Sequence, residues 1–176
     1  MSRLYRGYMA HRRPPRKGVG KVTLESGSTW AAHGPSSQNH VLQEPSLPAS
    51  FDDLQIGQVA SLGAMAVDGE SLAAFASAFC PGWTTDLGAP DAMVFAIWAR
   101  LDALASDNWR QTKRLGVDAL RWMRNPPAGE LLRGRMTVMA KDPVGDDKGI
   151  VIAQHDLLDE GGRLVFSCLT RSVFSR

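Results

Sequence analysis

Two carboxylates that could serve in acid–base chemistry, Asp86 and Asp91, lie shortly before and at the start of the longest apolar helical pattern in the sequence. A general base works best when its pKa is close to the operating pH, and an exposed aspartate with a pKa of about 3.9 is a poor base near neutrality. Burial would have to raise that pKa. Without such burial, Asp91 is a plain helix cap and Asp86 is a solvated loop residue.

Histidine and cysteine, which often carry catalysis or metal binding, are sparse. No histidine lies between His40 and His155, and His155 falls inside a predicted strand, where an ordinary strand residue is expected. Cys80 and Cys168 form neither a disulfide framework nor a zinc-ligand pattern, so both are interpreted as small buried residues in a reducing cytoplasm. We therefore predict no metal site and no cofactor.

The helix that would position the two carboxylates spans Asp91 to Ala105. Its apolar side chains recur at helical spacing, and the stripe is wide enough to be buried on more than one side. Pro90 suits the position before or at the first turn, and Asp91 can cap the exposed amides. The stripe consists of Met93, Val94, Ile97, Trp98, Leu101 and Leu104.

A strand and a short helix are predicted before this segment. Val59–Val67 is the strand, Asp68 stands where a helix cap is expected, and Ser71–Phe79 is the helix. After the long helix, the alternation of apolar and polar residues predicts four strands. Their ranges are Leu115–Met123, Leu132–Lys141, Gly149–Leu158 and Arg163–Phe174, with a hairpin turn at Asp159–Gly162. This order predicts an α+β fold with antiparallel strands.

Composition and charge divide the chain near Phe51. Residues 1–50 carry seven basic and two acidic residues, a charge of +5, and the remainder carries 13 basic and 16 acidic residues, a charge of −3. A mildly acidic domain argues against a nucleic-acid partner. No stretch approaches the roughly 18 apolar residues that cross a bilayer, so no membrane partner is expected.

Residues 1–50 are rich in Gly, Pro, Ser and Arg and show no helical or strand period. They are interpreted as an irregular or disordered arm, with translated sequence upstream of the true start as the alternative. No apolar core of a secretory signal is present, and the prolines and glycines oppose the amphipathic helix of a transit peptide. Residues 51–176 are the folded domain.

Several local stretches of this domain resemble the MaoC-like dehydratase family. Phe51–Gln58 and Val67–Ala76 resemble the family's opening, Leu115–Pro126 resembles its strand after the central helix, and Pro127–Leu132 resembles its proline–glycine–acid turn. The resemblance covers residues 51–176 in the correct order and spacing. It implies the hot-dog fold, in which an antiparallel sheet wraps around a long central helix.

The resemblance also implies a function. Family members hold an acyl-CoA or acyl-carrier-protein thioester, usually in a dimer or a double hot dog, and backbone amides at the start of the central helix polarise the thioester carbonyl. Their hydratases add water with the Asp and His of an Asp-x-Asn-Pro-x-His loop. Here an ungapped comparison places Pro81 at the Asp and Asp86 at the His. The usual catalytic pair is therefore predicted to be missing.

Three functions remain open on this reading. The first is an acyl-thioester-binding protein that is non-catalytic, or that forms one half of an enoyl-thioester hydratase with itself or another hot-dog subunit as partner. The second is a hot-dog thioesterase that uses Asp86 or Asp91 alone. The third is a non-enzymatic interaction module. The predicted catalytic residues are Asp86 and Asp91, and the predicted substrate-binding residues are Trp83, Ala92, Met93 and Arg121.

Arg121 is included because an arginine on this strand can meet carrier phosphates, as can Arg124, and Trp83 because it can line an acyl pocket. Solvated arginines on the wet face of a strand are the alternative. Trp98 belongs to the core face of the helix instead.

Overall fold

A computed structural model of the protein describes residues 49–176, which belong to one compact unit. The arm predicted for residues 1–50 lies outside the described residues except for its last two, so its boundary stays a prediction. The elements follow one another as β1 (Val59–Ala66), α1 (Gly69–Phe79), a 3-10 turn (Thr85–Leu87), α2 (Asp91–Ala105), β2 (Gln111–Trp122), β3 (Leu131–Val144), β4 (Lys148–Leu158) and β5 (Leu164–Ser175).

The five strands form one antiparallel sheet in the order β1-β3-β4-β5-β2. Strands β3, β4 and β5 are joined as consecutive hairpins, whereas β2 crosses to the far edge and pairs with β5. The hairpin turn after β4 is closed by a hydrogen bond from the Gly162 amide to the Asp159 carbonyl, 3.0 Å long. The predicted α+β class with antiparallel strands is confirmed.

Helix α2 lies against one face of this sheet. Its buried face is centred on Val94, Trp98 and Leu101, which are at most 1% exposed. The Trp98 ring packs on the Phe166 ring of β5, with 5.9 Å between centroids. Burial of these large side chains is the main source of stability for an element of this kind. The helix that the sequence predicts to be buried therefore lies in the core of the domain.

The ends of the helices follow capping chemistry, with one exception. The Asp68 carboxylate accepts a 2.8 Å hydrogen bond from the Ser71 amide at the start of α1, as predicted. The prediction that Asp91 caps α2 is wrong. Pro90 occupies the cap position with extended backbone, and its carbonyl accepts from the Met93 and Val94 amides. Leu104, expected in the buried stripe, is 38% exposed because it lies at the margin of the buried face.

Candidate functional site

The first turn of α2 presents free backbone donors. The Met93 and Val94 amides donate to Pro90 at 2.8 Å and 3.1 Å, while the amides of Asp91 and Ala92 have no acceptor within residues 49–176. Both of these residues are exposed. Unpaired amides at the positive end of a helix dipole are suited to bind a carbonyl oxygen or an anion. The chemistry available here is polarisation of an acceptor atom.

Strand β2 and the loop after it hold this turn in place. The indole of Trp122 donates a 2.9 Å hydrogen bond to the Asp91 carbonyl. The side-chain amide of Asn125 donates to the Ala89 carbonyl at 2.8 Å and to the Asp91 carboxylate at 3.3 Å. The Ala89 amide in turn donates to Pro126 at 2.8 Å. The sequence carried no signal for Asn125 beyond a turn residue, because its partners lie in a distant loop.

The loop before α2 makes a close approach to the same segment. Gly88 has φ 83° and ψ −171°, a conformation open to glycine, and a Cβ atom placed on it would lie 2.6 Å from the Asn125 carbonyl oxygen. The Gly88 carbonyl accepts a 2.9 Å hydrogen bond from the Trp83 indole. Trp83 is thus fixed beside the start of α2 and remains half-buried.

The predicted site residues are only partly brought together. Asp91 and Ala92 form the first turn of α2, with Trp83 beside it through Gly88. Met93 is 6% exposed and its amide is already occupied by Pro90, so it does not offer a free donor. Asp86 is an exposed residue of the 3-10 turn, and no hydrogen bond or ion pair joins it to the described part of the chain.

Arg121 lies at a separate feature, a bulge in β2. The pairing with β5 steps from Asp118 to Arg121, and Ala119 between them has φ 51°. Arg121 itself is exposed and has no ion-pair partner among the described residues. The bulge borders a pocket of about 140 Å³ lined by Ala119, Arg121, Gln154, Ser167, Cys168 and Leu169. An unpaired guanidinium beside a hydroxyl and an amide suits an anion.

The neighbouring arginine, Arg124, is committed within the fold. It binds both oxygens of the Glu130 carboxylate and donates a 2.8 Å hydrogen bond to Asp159. The hydrogen bond with Glu130 raises the pKa of Arg124 above its usual value. This network ties the loop before β3 to the β4–β5 hairpin, and it leaves Arg124 a structural role.

A buried polar cluster lies under the second half of α2, which the sequence did not predict. Asp102 on α2 is 3% exposed and its carboxylate accepts a 2.6 Å hydrogen bond from Arg114 on β2. The other carboxylate oxygen lies 3.5 Å from Nδ1 of His155 on β4, whose Nε2 is 3.0 Å from the Thr170 hydroxyl. Burial lowers the pKa of His155 to about 4, so the imidazole is neutral at neutral pH.

Comparison with solved structures decides what this arrangement of sheet and helix is. A MaoC-like dehydratase from Rhodospirillum rubrum matches with a TM-score of 0.62 and 24% identity, over 73% of this chain and 97% of that one. A double-hot-dog protein from Mycobacterium tuberculosis matches at 0.59 and 23%, over 73% of this chain and 44% of that one. The chain has the hot-dog fold. The predicted fold is confirmed, and α2 is the central helix of the hot dog.

A third hot-dog protein extends the same likeness. An R-hydratase from Pseudomonas aeruginosa matches with a TM-score of 0.56 and 18% identity, over 73% of this chain and 90% of that one. No family model matches the sequence, and no curated protein matches it either. The solved structures support the resemblance to MaoC-like proteins at the level of the hot-dog fold, with sequence identities of 24%, 23% and 18%.

Two further findings bear on the kind of site this hot-dog domain offers. Between residues 49 and 176, no three His, Cys, Asp or Glu side chains come together in a way that could hold a metal ion. None of the helices in that range is long and apolar enough to cross a membrane.

Proposed function

We propose that this protein binds an acyl thioester, carried by CoA or an acyl-carrier protein, with the thioester carbonyl oxygen on the Asp91 and Ala92 amides. The observation that carries the proposal is the pair of amides at the start of the central helix that have no acceptor among residues 49–176. A developing oxyanion gains most from donors that are already oriented. Trp122 and Asn125 keep them so, because both side chains bond the segment that contains them.

We infer further that the protein is a partner-dependent half of an enoyl-thioester hydratase or dehydratase. In an ungapped comparison, Pro81 and Asp86 fall where the family's loop has Asp and His, and proline cannot transfer a proton. His155 is the one histidine among the described residues, and at 1% exposure it is out of reach of a substrate at the helix start. A second hot-dog subunit would supply the acid–base pair, and the likeness to a double-hot-dog protein supports such pairing.

We propose that the phosphate groups of the carrier bind in the pocket at Arg121. Arg121 follows the bulge on β2 and directly precedes Trp122, whose indole bonds the first residue of α2. A carrier arm that passes around this edge strand would meet the unpaired guanidinium on one side and the helix start on the other. The free thiols of Cys80 and Cys168 fit a reducing compartment, which we propose to be the cytoplasm.

A matched pair of variants tests the carbonyl site. Asp91→Pro removes the Asp91 amide donor at the first helical position, where proline is favoured, and the preceding Pro90 already has ψ 155° as proline requires of its neighbour. Asp91→Ala removes the carboxylate and keeps the amide. With butyryl-CoA and crotonyl-CoA as probes, Asp91→Pro should bind roughly threefold to tenfold more weakly than Asp91→Ala by calorimetry.

Equal affinities for the two variants would contradict the proposed carbonyl site. Hydration of crotonyl-CoA by the isolated protein would contradict dependence on a partner. Thiol release that disappears in Asp86→Asn or Asp91→Asn would instead establish a lone-carboxylate thioesterase. If neither a CoA ester nor an acyl-carrier-protein thioester raises the melting temperature, the thioester-binding proposal fails, and the result favours a protein-interaction module.

A further inference from the structure

A β-bulge in edge strand β2 lies just before the tryptophan that holds the start of α2. Ala119 and Leu120 of β2 lie opposite a single residue of β5, Cys168. Ala119 has φ 51°, and among residues 49–176 it is the one residue other than glycine with a positive φ. A left-handed backbone costs free energy for a residue with a Cβ atom and persists only where the surrounding structure imposes it. The pairing on either side of the bulge therefore holds Ala119 in this conformation.

The bulge determines which face of the sheet the end of β2 presents to the helix. Val117 and Trp122 are five residues apart, so in a regular strand their side chains would point to opposite faces. Their partners on β5, Thr170 and Phe166, are four residues apart and are both buried. Directly opposite residues share a face, so Val117 and Trp122 lie on the same face. The bulge makes this possible because it absorbs the additional residue of β2.

This register brings Trp122 to the first turn of α2. Its ring packs on the Phe166 ring with 5.7 Å between centroids, and its indole donates a 2.9 Å hydrogen bond to the Asp91 carbonyl. If β2 continued from Val117 without the bulge, Arg121 would lie opposite Phe166 and the Trp122 side chain would point to the other face. A charged side chain would then replace an aromatic one in the core. The bulge is therefore required for the contact between β2 and the start of α2.

The same bulge shapes the outer face of the sheet. Arg121 pairs with Ser167, one step along the strand from Trp122, so its side chain leaves the strand on the face opposite the helix. Ala119, Arg121 and Ser167 line the pocket of about 140 Å³ at this face. A bulge bends its strand and takes the additional residue out of the ladder of backbone hydrogen bonds, so Ala119 can form a wall of the pocket. One backbone feature thus borders both parts of the proposed ligand site.

We propose that Ala119 is a positioning residue whose left-handed conformation lets β2 serve both faces of the sheet. It keeps Trp122 on the helix side, where the indole orients the first turn of α2, and it shapes the phosphate pocket at Arg121 on the other side. This role rests on the proposed thioester site, whose carbonyl and phosphate contacts it links. The bulge holds those two contacts at a fixed spacing, because Arg121 and Trp122 are adjacent residues of one strand.

Changes at position 119 test this role in the full chain. Ala119→Gly tolerates the left-handed backbone and should keep the affinity for butyryl-CoA within about twofold. Ala119→Val disfavours that backbone, because a β-branched residue rarely adopts a positive φ. It should weaken binding of butyryl-CoA and of a phosphate-free pantetheine ester by about threefold to tenfold each.

Deletion of Ala119 separates the two contacts. Leu120 can then pair with Cys168, so Trp122 keeps its place on the helix side while the pocket loses a wall. Butyryl-CoA should bind about threefold to tenfold more weakly to the deletion variant, and the pantetheine ester should bind as it does to the wild type. If Ala119→Val does not fold, the deletion variant decides.

NOE contacts between the Trp122 and Phe166 rings in the ligand-free protein report the register of β2 independently of binding. They should persist in Ala119→Gly and in the deletion variant, and weaken in Ala119→Val. Leu115→Val is the control, since it adds a β-branched residue at another irregularity of β2 where φ is not positive. It should change neither the ring contacts nor the affinities.

Three outcomes would overturn the role of Ala119. They are a folded Ala119→Val with unchanged ring contacts, a deletion variant that loses those contacts, and a deletion variant with full affinity for butyryl-CoA. A wild type that binds neither ester would instead contradict the proposed thioester site, and the ring contacts would then decide whether Ala119 sets the register.

Discussion

The Arg114 guanidinium of β2 donates a 2.6 Å hydrogen bond to the Asp102 carboxylate of α2, with Asp102 nearly buried and about a quarter of the Arg114 side chain exposed. The pair joins the central helix to the edge strand that also holds the candidate site. The arginine can turn toward water if its partner is removed, whereas the carboxylate cannot. Removing Arg114 should therefore lower the free energy of unfolding by a different amount from removing Asp102.

We expect Arg114→Met to destabilise the protein by about 3 to 5 kcal/mol, since it leaves a buried charge unpaired. Asp102→Leu should cost less than Arg114→Met, and the double variant should lie much closer to the wild type than the sum of the single effects. Urea unfolding of the four proteins measures this. Additive effects would show that the pair is not coupled.

Acid should destabilise the protein through His155. The pKa of His155 is about 4 in the folded chain because burial removes the hydration of its charged form, against an ordinary value of 6.5. As the pH falls below 6.5 the unfolded chain takes up a proton that the folded chain refuses until about pH 4. The contribution of His155 to the free energy of unfolding is fully present above pH 6.5. It falls by roughly 3 kcal/mol as the pH drops from 6.5 to about 4.

His155→Gln should lack this part of the pH dependence, because glutamine does not titrate. Comparing urea midpoints of the variant and the wild type between about pH 7 and pH 5 isolates the histidine from the carboxylates. If the urea midpoint changes with pH at the same slope in both proteins, the pKa of His155 is not lowered in the folded chain.

The turn before α2 should tolerate no side chain at Gly88. Gly88→Ala combines an unfavourable backbone conformation with a contact of 2.6 Å to the Asn125 carbonyl oxygen, and Gly82→Ala shares a positive φ of 79° but meets no atom within 4 Å. We expect Gly82→Ala to cost about 1 kcal/mol and Gly88→Ala at least twice as much. Equal melting temperatures would show that the close approach is not essential.

Arg121 should contribute to ligand binding through charge. Arg121→Gln should weaken binding of butyryl-CoA about threefold to tenfold and leave a phosphate-free pantetheine ester unaffected. Raising the salt concentration should shrink the difference. Arg133→Gln, which removes another exposed arginine from strand β3, is the control and should change neither ligand's affinity. If Arg121→Gln lowered the affinity for butyryl-CoA and for the pantetheine ester alike, the cause would be a structural change and not a lost contact to phosphate.

Local signals in the sequence determined the principal elements. Helix α2 was predicted at its observed bounds, Asp91–Ala105, because its apolar residues recur at a helical period that local sequence alone displays. The Asp68 cap follows from the same kind of short-range chemistry, since donor and acceptor are three residues apart. The alternating strands and the glycine hairpin likewise predicted antiparallel strands beside a long helix, an α+β class. The hot-dog fold itself was implied by the resemblance to the MaoC-like family.

The tertiary structure alone decided which distant residues meet. Asn125 and Trp122 bind the start of α2 only because β2 crosses to the far edge of the sheet and pairs with β5. His155 looked like an ordinary strand residue, and its place beside Asp102 depends on which face of β4 is turned toward the helix. The Met93 amide donates to the Pro90 carbonyl because Pro90, and not Asp91, occupies the cap position of α2. Periodicity specifies faces and elements, but pairing and register set the contacts between them.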